Sequence, residues 1–130
     1  MAYFHNDVLD AALSYFSTNT ENLYITDDTG APDTFTKASA TYKCGTKSSP
    51  SFTGPADDGT AGRKITVDAI SDGSIATDGT TTTATAQYFA LTDDSESKLL
   101  MYEELASTQS VTEGNTFTLT AFKLSIPDAT

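Results

Sequence analysis

The sequence predicts a mainly β fold, a two-sheet β-sandwich or a barrel-like variant of one, with one short N-terminal helix. Three observations predict it. Roughly seven or eight short segments rich in Thr, Tyr, Phe, Leu and Ile are separated by polar turn formers. The last third, Ala84 to Asp128, is a succession of such segments: ATAQYFALTD, KLLMYEEL and TFTLTAFKLSIPD. Apolar residues recur at clear helical spacing over only one stretch, near the N-terminus.

The chain has 130 residues, the size of a single domain. That domain is expected to span 1–130, with a helix at about 6–17 and a strand-rich core at about 63–127. A domain of this length buries roughly two thirds of the surface of its unfolded chain. Hydrophobic content is a modest 38%, offset by seven Phe and six Tyr. The formal net charge is −11, with only seven Lys and Arg. That opposes binding to nucleic acid or an anionic membrane, because neutralising phosphates needs clustered cations. It leaves a solubilising surface or attraction to a basic partner.

Taken in order, Asn6 or Asp7 can cap the helix, and Asp10 suits the positive end of its dipole. Leu9, Ala12, Leu13 and Phe16 form the apolar stripe, with Val8 beside them. Three turns are too few to stand alone in water, so the helix must dock on a sheet or a neighbour. Tyr3 and Phe4 precede it and can staple its entry or fill an interface. Leu23 to Thr26 reads as the first strand, and DDTGAPD as a turn. Phe35 to Tyr42 suggests a helical turn leading into a strand near Tyr42 to Gly45. Ser51 to Thr53 can pair inside a loop rich in Pro and Gly.

Arg63 to Ile70 is a better strand, with Ile65 and Val67 on one face. Ile70 changes parity, which predicts a bulge or bend near Asp68 and Ala69. Ser71-Asp72-Gly73-Ser74 is a tight-turn signal before a short strand at Ile75, and Asp78 to Thr83 a polar loop or exposed edge. Gln87 to Thr92 and Lys98 to Tyr102 are apolar on both faces, as central or subunit-facing strands are. From Thr116 to Ile126 the apolar set moves from odd to even positions. One register cannot bury both sets, so the segment bulges or crosses between two sheets. Pro127 ends the pairing.

Residues suited to catalysis do not converge in the sequence. The groups Asp27/Asp28, Asp57/Asp58, Asp93/Asp94 with Glu96, and Glu103/Glu104 read as solvated turn formers, since acid–base work needs a desolvated carboxyl in a cleft. Asp57-Asp58-Gly59, or Asp27-Asp28 with Asp33, offers oxygen ligands but lacks the spacing of a calcium loop. His5 is the only histidine, which leaves out a Ser-His-Asp arrangement or a zinc site of several His and Cys ligands. Cys44 is the only cysteine, so no intrachain disulfide forms, and a small buried hydrophobe is expected there. No catalytic residues, cofactor or metal are assigned, and the chain is not expected to be an enzyme. The stretch MAYFHNDVLDAALSYF lacks the features of a signal peptide, and no apolar run is long enough to span a membrane. Synthesis and assembly in a cytoplasm are expected.

AYFHNDVLDAAL, GPADDGTAGRKITVDAISDGSI, YFALTD and KLLMYEELASTQSVTEGNTFTLTAFKLSIPD resemble, in that order, a family of small virion proteins of tailed bacteriophages. The resemblance covers most of the chain and is weakest from Thr18 to Lys47. It implies a virion structural component, first a capsid decoration (cement) protein on the outside of the shell. Its partners would be the major capsid protein and sister copies, with a trimer favoured. The alternative is a tail or head fibre component that contacts the host surface. For the protein interface, Tyr3, Phe4 and His5 offer apolar surface outside the helical stripe. Lys43 and Lys47 offer scarce positive charge, and Phe52 lies close by.

Overall fold

At two places where the alternation of apolar residues loses its parity, before Ile70 and before Phe122, the chain changes sheets. The computed structural model describes residues 3–59, 62–77 and 82–128. The chain is mainly β, with two sheets and one N-terminal helix. It divides into two compact units, one drawn from Met1–Asn19, Ser51–Ala69 and Thr120–Thr130, the other from Thr20–Pro50 and Ile70–Leu119.

The first unit is helix α1 (Asn6–Asn19) on a three-stranded antiparallel sheet. The sheet holds β3 (Phe52–Asp57), β4 (Arg63–Val67) and β9 (Phe122–Ile126), with β4 in the middle. Arg63 pairs with Ile126, Ile65 with Leu124 and Val67 with Phe122. Because side chains alternate along a strand, one face carries Ile65, Val67, Phe122, Leu124 and Ile126. The other carries Lys64, Thr66, Lys123 and Ser125. Phe52, opposite Val67, joins the apolar face. α1 packs on all three strands, and Leu9, Leu13, Ile65 and Val67 are buried. β3 loses register between Thr53 and Ala56. There Gly54 has a φ of 107°, a conformation open to glycine and strained for other residues.

The second unit is a six-stranded antiparallel sheet. It holds β1 (Asn22–Asp27), β2 (Lys43–Ser48), β5 (Ile70–Ile75), β6 (Thr83–Asp93), β7 (Lys98–Thr112) and β8 (Thr116–Leu119), in the order β7-β6-β1-β2-β5-β8. The two edge strands, β7 and β8, are consecutive in the chain, joined only by residues 113–115. So short a link joins opposite edges only if the sheet curls toward a half-barrel. Hydrogen bonds fasten the link: Glu113 N–H to the Thr82 carbonyl, Gly114 N–H to that of Ile75, and Ile75 N–H to that of Asn115. β1 lies mid-sheet with Leu23, Tyr24, Ile25 and Thr26 all buried. A turn of π-helix at Lys37–Thr41 packs against β1, β2 and β6, and Ala38 is buried.

Both parity breaks now have a cause. β4 ends at Val67 in one sheet and β5 begins at Ile70 in the other. β8 ends at Leu119 in the larger sheet and β9 begins at Phe122 in the smaller. The final segment is therefore two strands serving two sheets.

Three expectations are corrected. Ser71 to Ser74 is not a turn but the middle of β5, where Gly73 lies opposite Phe117. A Cβ on Gly73 would collide with the Phe117 ring, so this glycine makes room for an aromatic neighbour. Of the two places expected for the segment from Lys98, the centre of the sheet is excluded, because β7 is an edge strand. Its apolar residues alternate irregularly because Leu100 is an extra residue between the pairs Leu91–Met101 and Thr92–Leu99. The helix cap is His5. Its carbonyl accepts from the Val8 and Leu9 amides, and its Nδ1 accepts from the Asp7 amide at 3.2 Å. Of the polar loop expected at Asp78 to Thr83, residues 78–81 lie outside the described residues.

Candidate functional site

α1 is apolar on two faces. Leu9 and Leu13 are buried and Phe16 is half-buried, which makes the inner stripe that docks on the sheet. Val8, Ala11, Ala12 and Tyr15 recur at three- and four-residue intervals on a second face, and all four are exposed. Tyr3 and Phe4 precede the cap in the chain and are exposed as well. Among the described residues, four of the five exposed large hydrophobic side chains fall here: Tyr3 (82%), Phe4 (51%), Val8 (55%) and Tyr15 (45%). Single exposed apolar residues are ordinary on a protein surface, whereas a cluster marks a place of interaction.

An ion pair orients the helix. Arg63 donates from Nε and Nη2 to the two carboxylate oxygens of Asp10 at 2.7 and 2.8 Å. The hydrogen-bonded guanidinium holds the Asp10 carboxyl below its ordinary pKa. Such a fork fixes direction as well as distance, and it sets the inner stripe on the sheet with Val8 and Tyr15 facing out.

Of the residues singled out in the sequence, Tyr3, Phe4 and His5 lie together at the start of α1 and are exposed. Lys43 and Lys47 belong to β2 in the other unit, and Phe52 opens β3, half-buried. The Lys47 charge is engaged by Asp72 at 2.9 Å. Lys43 lies near Asp94 and helps hold its carboxyl in the ionised form. Ala12, expected on the inner stripe, is on the outer face. Val8 and Tyr15 were missed as surface residues. Their seven-residue separation, two full helical turns, was the signal that could have found them.

Each carboxylate pair has a member bonded within the chain, and two pairs are less solvated than expected. Asp58 accepts from Lys123 Nζ at 2.8 and 3.0 Å and from Ser125 Oγ at 2.8 Å, with Lys64 Nζ at 3.7 Å. These partners hold its pKa below the ordinary carboxylate value, Lys123 first and then Ser125. Asp93 is buried and its Oδ1 accepts from the Glu96 amide. Asp94 accepts from the Tyr24 hydroxyl and the Thr92 hydroxyl, each at 2.6 Å. Burial opposes the Asp94 carboxylate, but bonds from Thr92, Tyr24 and Asn22 outweigh it and keep its pKa low. Burial and the Asp94 charge push the Tyr24 hydroxyl up. Glu21 accepts from the Ser95 amide at 2.8 Å and from its hydroxyl, tying the β6–β7 turn to the start of β1. These carboxylates fasten turns to strands.

The potential calcium loops are engaged in the same way. Asp58 is held by cations, Asp33 pairs with Lys37 at 2.6 Å, and Asp27 accepts from the Thr29 amide. Cys44 is buried in β2, and burial pushes its thiol up to about 12.

No protein-family model, curated protein or solved structure matches the chain.

Proposed function

We propose that this chain is a structural component of a tailed-bacteriophage virion: a capsid decoration protein that binds the outside of the major capsid shell and bridges capsomers. The observation that carries this reading is the run of exposed apolar side chains Tyr3, Phe4, Val8 and Tyr15 at the N-terminal end of an otherwise acidic chain. The order of stretches resembling small virion proteins supports it. Its role is mechanical rather than enzymatic: added contact area that resists the outward pressure of packaged DNA. Excess negative charge disfavours contact with the DNA itself. The copies group as trimers on the shell.

Copy number tests the reading. In purified virions, this band is quantified against the major capsid band. A decoration protein is present at a copy number of the same order as the shell subunit. A minor band, at a small percentage of the shell protein, makes the chain a tail or fibre part instead. A chain absent from virions is not a virion component.

A further inference from the structure

We infer that the outer face of α1, from Val8 to Tyr15, together with the exposed Tyr3 and Phe4 ahead of it in the chain, seats in an apolar groove of the shell protein whose rim carries basic side chains. The inference rests on the decoration reading and names the docking element and the chemistry of its partner. Three features of the molecule lead to it.

The first is spacing. Val8, Ala11, Ala12 and Tyr15 are exposed on one face of a regular helix. Anchors at i, i+3, i+4 and i+7 are how a helix lies in an apolar groove. Between Val8 and Tyr15 the face carries only the small Ala11 and Ala12, which lets the helix backbone approach closely.

The second is area. With aromatic side chains at about 200 Å² each, the exposed fractions amount to roughly 400 Å² of apolar surface. A stable two-protein interface buries about 800 Å² per partner. The face is therefore too small to hold two free copies together. It contributes to an interface in which other attractions act.

The third is charge. Each copy carries −11, which disfavours two copies meeting at a face whose described residues have no cations of their own to offer. Lys37, Lys47, Arg63, Lys64 and Lys123 are already paired with the chain's own carboxylates. A sister copy thus has little positive charge to offer beside this face, where Asp7 is exposed. A groove with a basic rim meets both the apolar stripe and the surrounding acidity.

The test uses the full chain and purified particles assembled without it, with binding read by co-sedimentation. Val8→Glu and Tyr15→Glu each put a charge in the groove, while Val8→Ala and Tyr15→Ala only remove contact. Both positions are exposed, and circular dichroism and thermal unfolding confirm the fold of each variant. Wild type binds; each Glu variant weakens binding roughly tenfold or more and each Ala variant less, in the range of interface anchors. Tyr102→Ser, at an exposed tyrosine of β7, binds as wild type. Glu and Ala variants that bind as wild type overturn the inference and leave the decoration reading standing. A free wild type that is oligomeric, and that Val8→Glu converts to monomers, assigns the face to sister copies and also overturns it. Wild type that does not bind the particles overturns both.

Discussion

Arg63 on β4 grips Asp10 on α1 by both carboxylate oxygens, at 2.7 and 2.8 Å. This contact decides which way the helix turns. Leu9 and Leu13 alone would allow the helix to roll on the sheet, because apolar contact has no direction. The guanidinium fork fixes the roll, so that Val8 and Tyr15 are presented to a partner.

Loss of that fork is expected to loosen α1. Asp10→Asn keeps the shape and removes the charge. The backbone amides of α1 should exchange with solvent faster, while those of β6 in the other unit keep their protection. Arg63→Lys should resemble Asp10→Asn, because a single ammonium cannot hold both oxygens in the same plane. Leu13→Ala empties a fully buried position on the inner stripe and should cost about 2–5 kcal/mol, measured by urea unfolding.

Acid should destabilise the fold through specific carboxylates. Asp10, Asp58 and Asp94 have folded pKa values below the ordinary 3.8. The unfolded chain therefore binds more protons than the folded one as pH falls past that value. Their contribution is complete above pH 3.8 and is lost as pH falls through the lowered folded values. Relief of the general acidic repulsion acts in the opposite direction but is nearly common to wild type and variants. Urea midpoints measured down to pH 2 should show wild type losing its advantage over an Asp10→Asn/Asp58→Asn double variant below about pH 4.

Gly73 is expected to resist even the smallest side chain. Its missing Cβ is where the Phe117 ring lies, and Phe117 is buried. Gly73→Ala should cost about 1–3 kcal/mol by overpacking. Adding Phe117→Leu should recover part of the loss of the alanine variant, a coupling that a double-mutant cycle reads directly.

Cys44 should be silent in the folded protein. Its thiol is buried, donates to the Ile25 carbonyl at 3.4 Å and is pushed up to about 12. Since the thiolate is the reactive form, a thiol reagent at pH 8 should label native protein slowly and urea-unfolded protein quickly. Equal rates would mean that β2 opens readily.

Much of the fold was legible in the sequence because strands announce themselves by parity. Phe117 and Leu119 against Phe122 and Leu124 pointed to a crossing between sheets, while Ile65 and Val67 against Ile70 marked a break that reads as a bulge or bend and is a second crossing. What stayed hidden depends on neighbours distant in sequence. Gly73 looked like a turn because its partner Phe117 is forty-four positions away. The irregularity at Leu100 arises only from pairing with β6. At the candidate surface, Tyr3, Phe4 and His5 could be picked out, since they precede the periodic stripe. Val8 and Ala12 are harder to tell from core residues, because both faces of α1 are apolar and only the pairing of Val8 with Tyr15 seven positions on marks the outer one. The direction of the helix is set by Arg63, fifty-three positions from Asp10.

Hydroxyl-radical footprinting of tyrosines, on free protein and on protein bound to virions, tests the account most directly. Tyr15 lies on the proposed docking face with the exposed Tyr3 ahead of it in the chain, and Tyr102 is exposed on the edge strand of the other unit. The account predicts that Tyr3 and Tyr15 lose reactivity on the particle while Tyr102 keeps it. Protection of Tyr102, with Tyr3 and Tyr15 as reactive as in free protein, would contradict it.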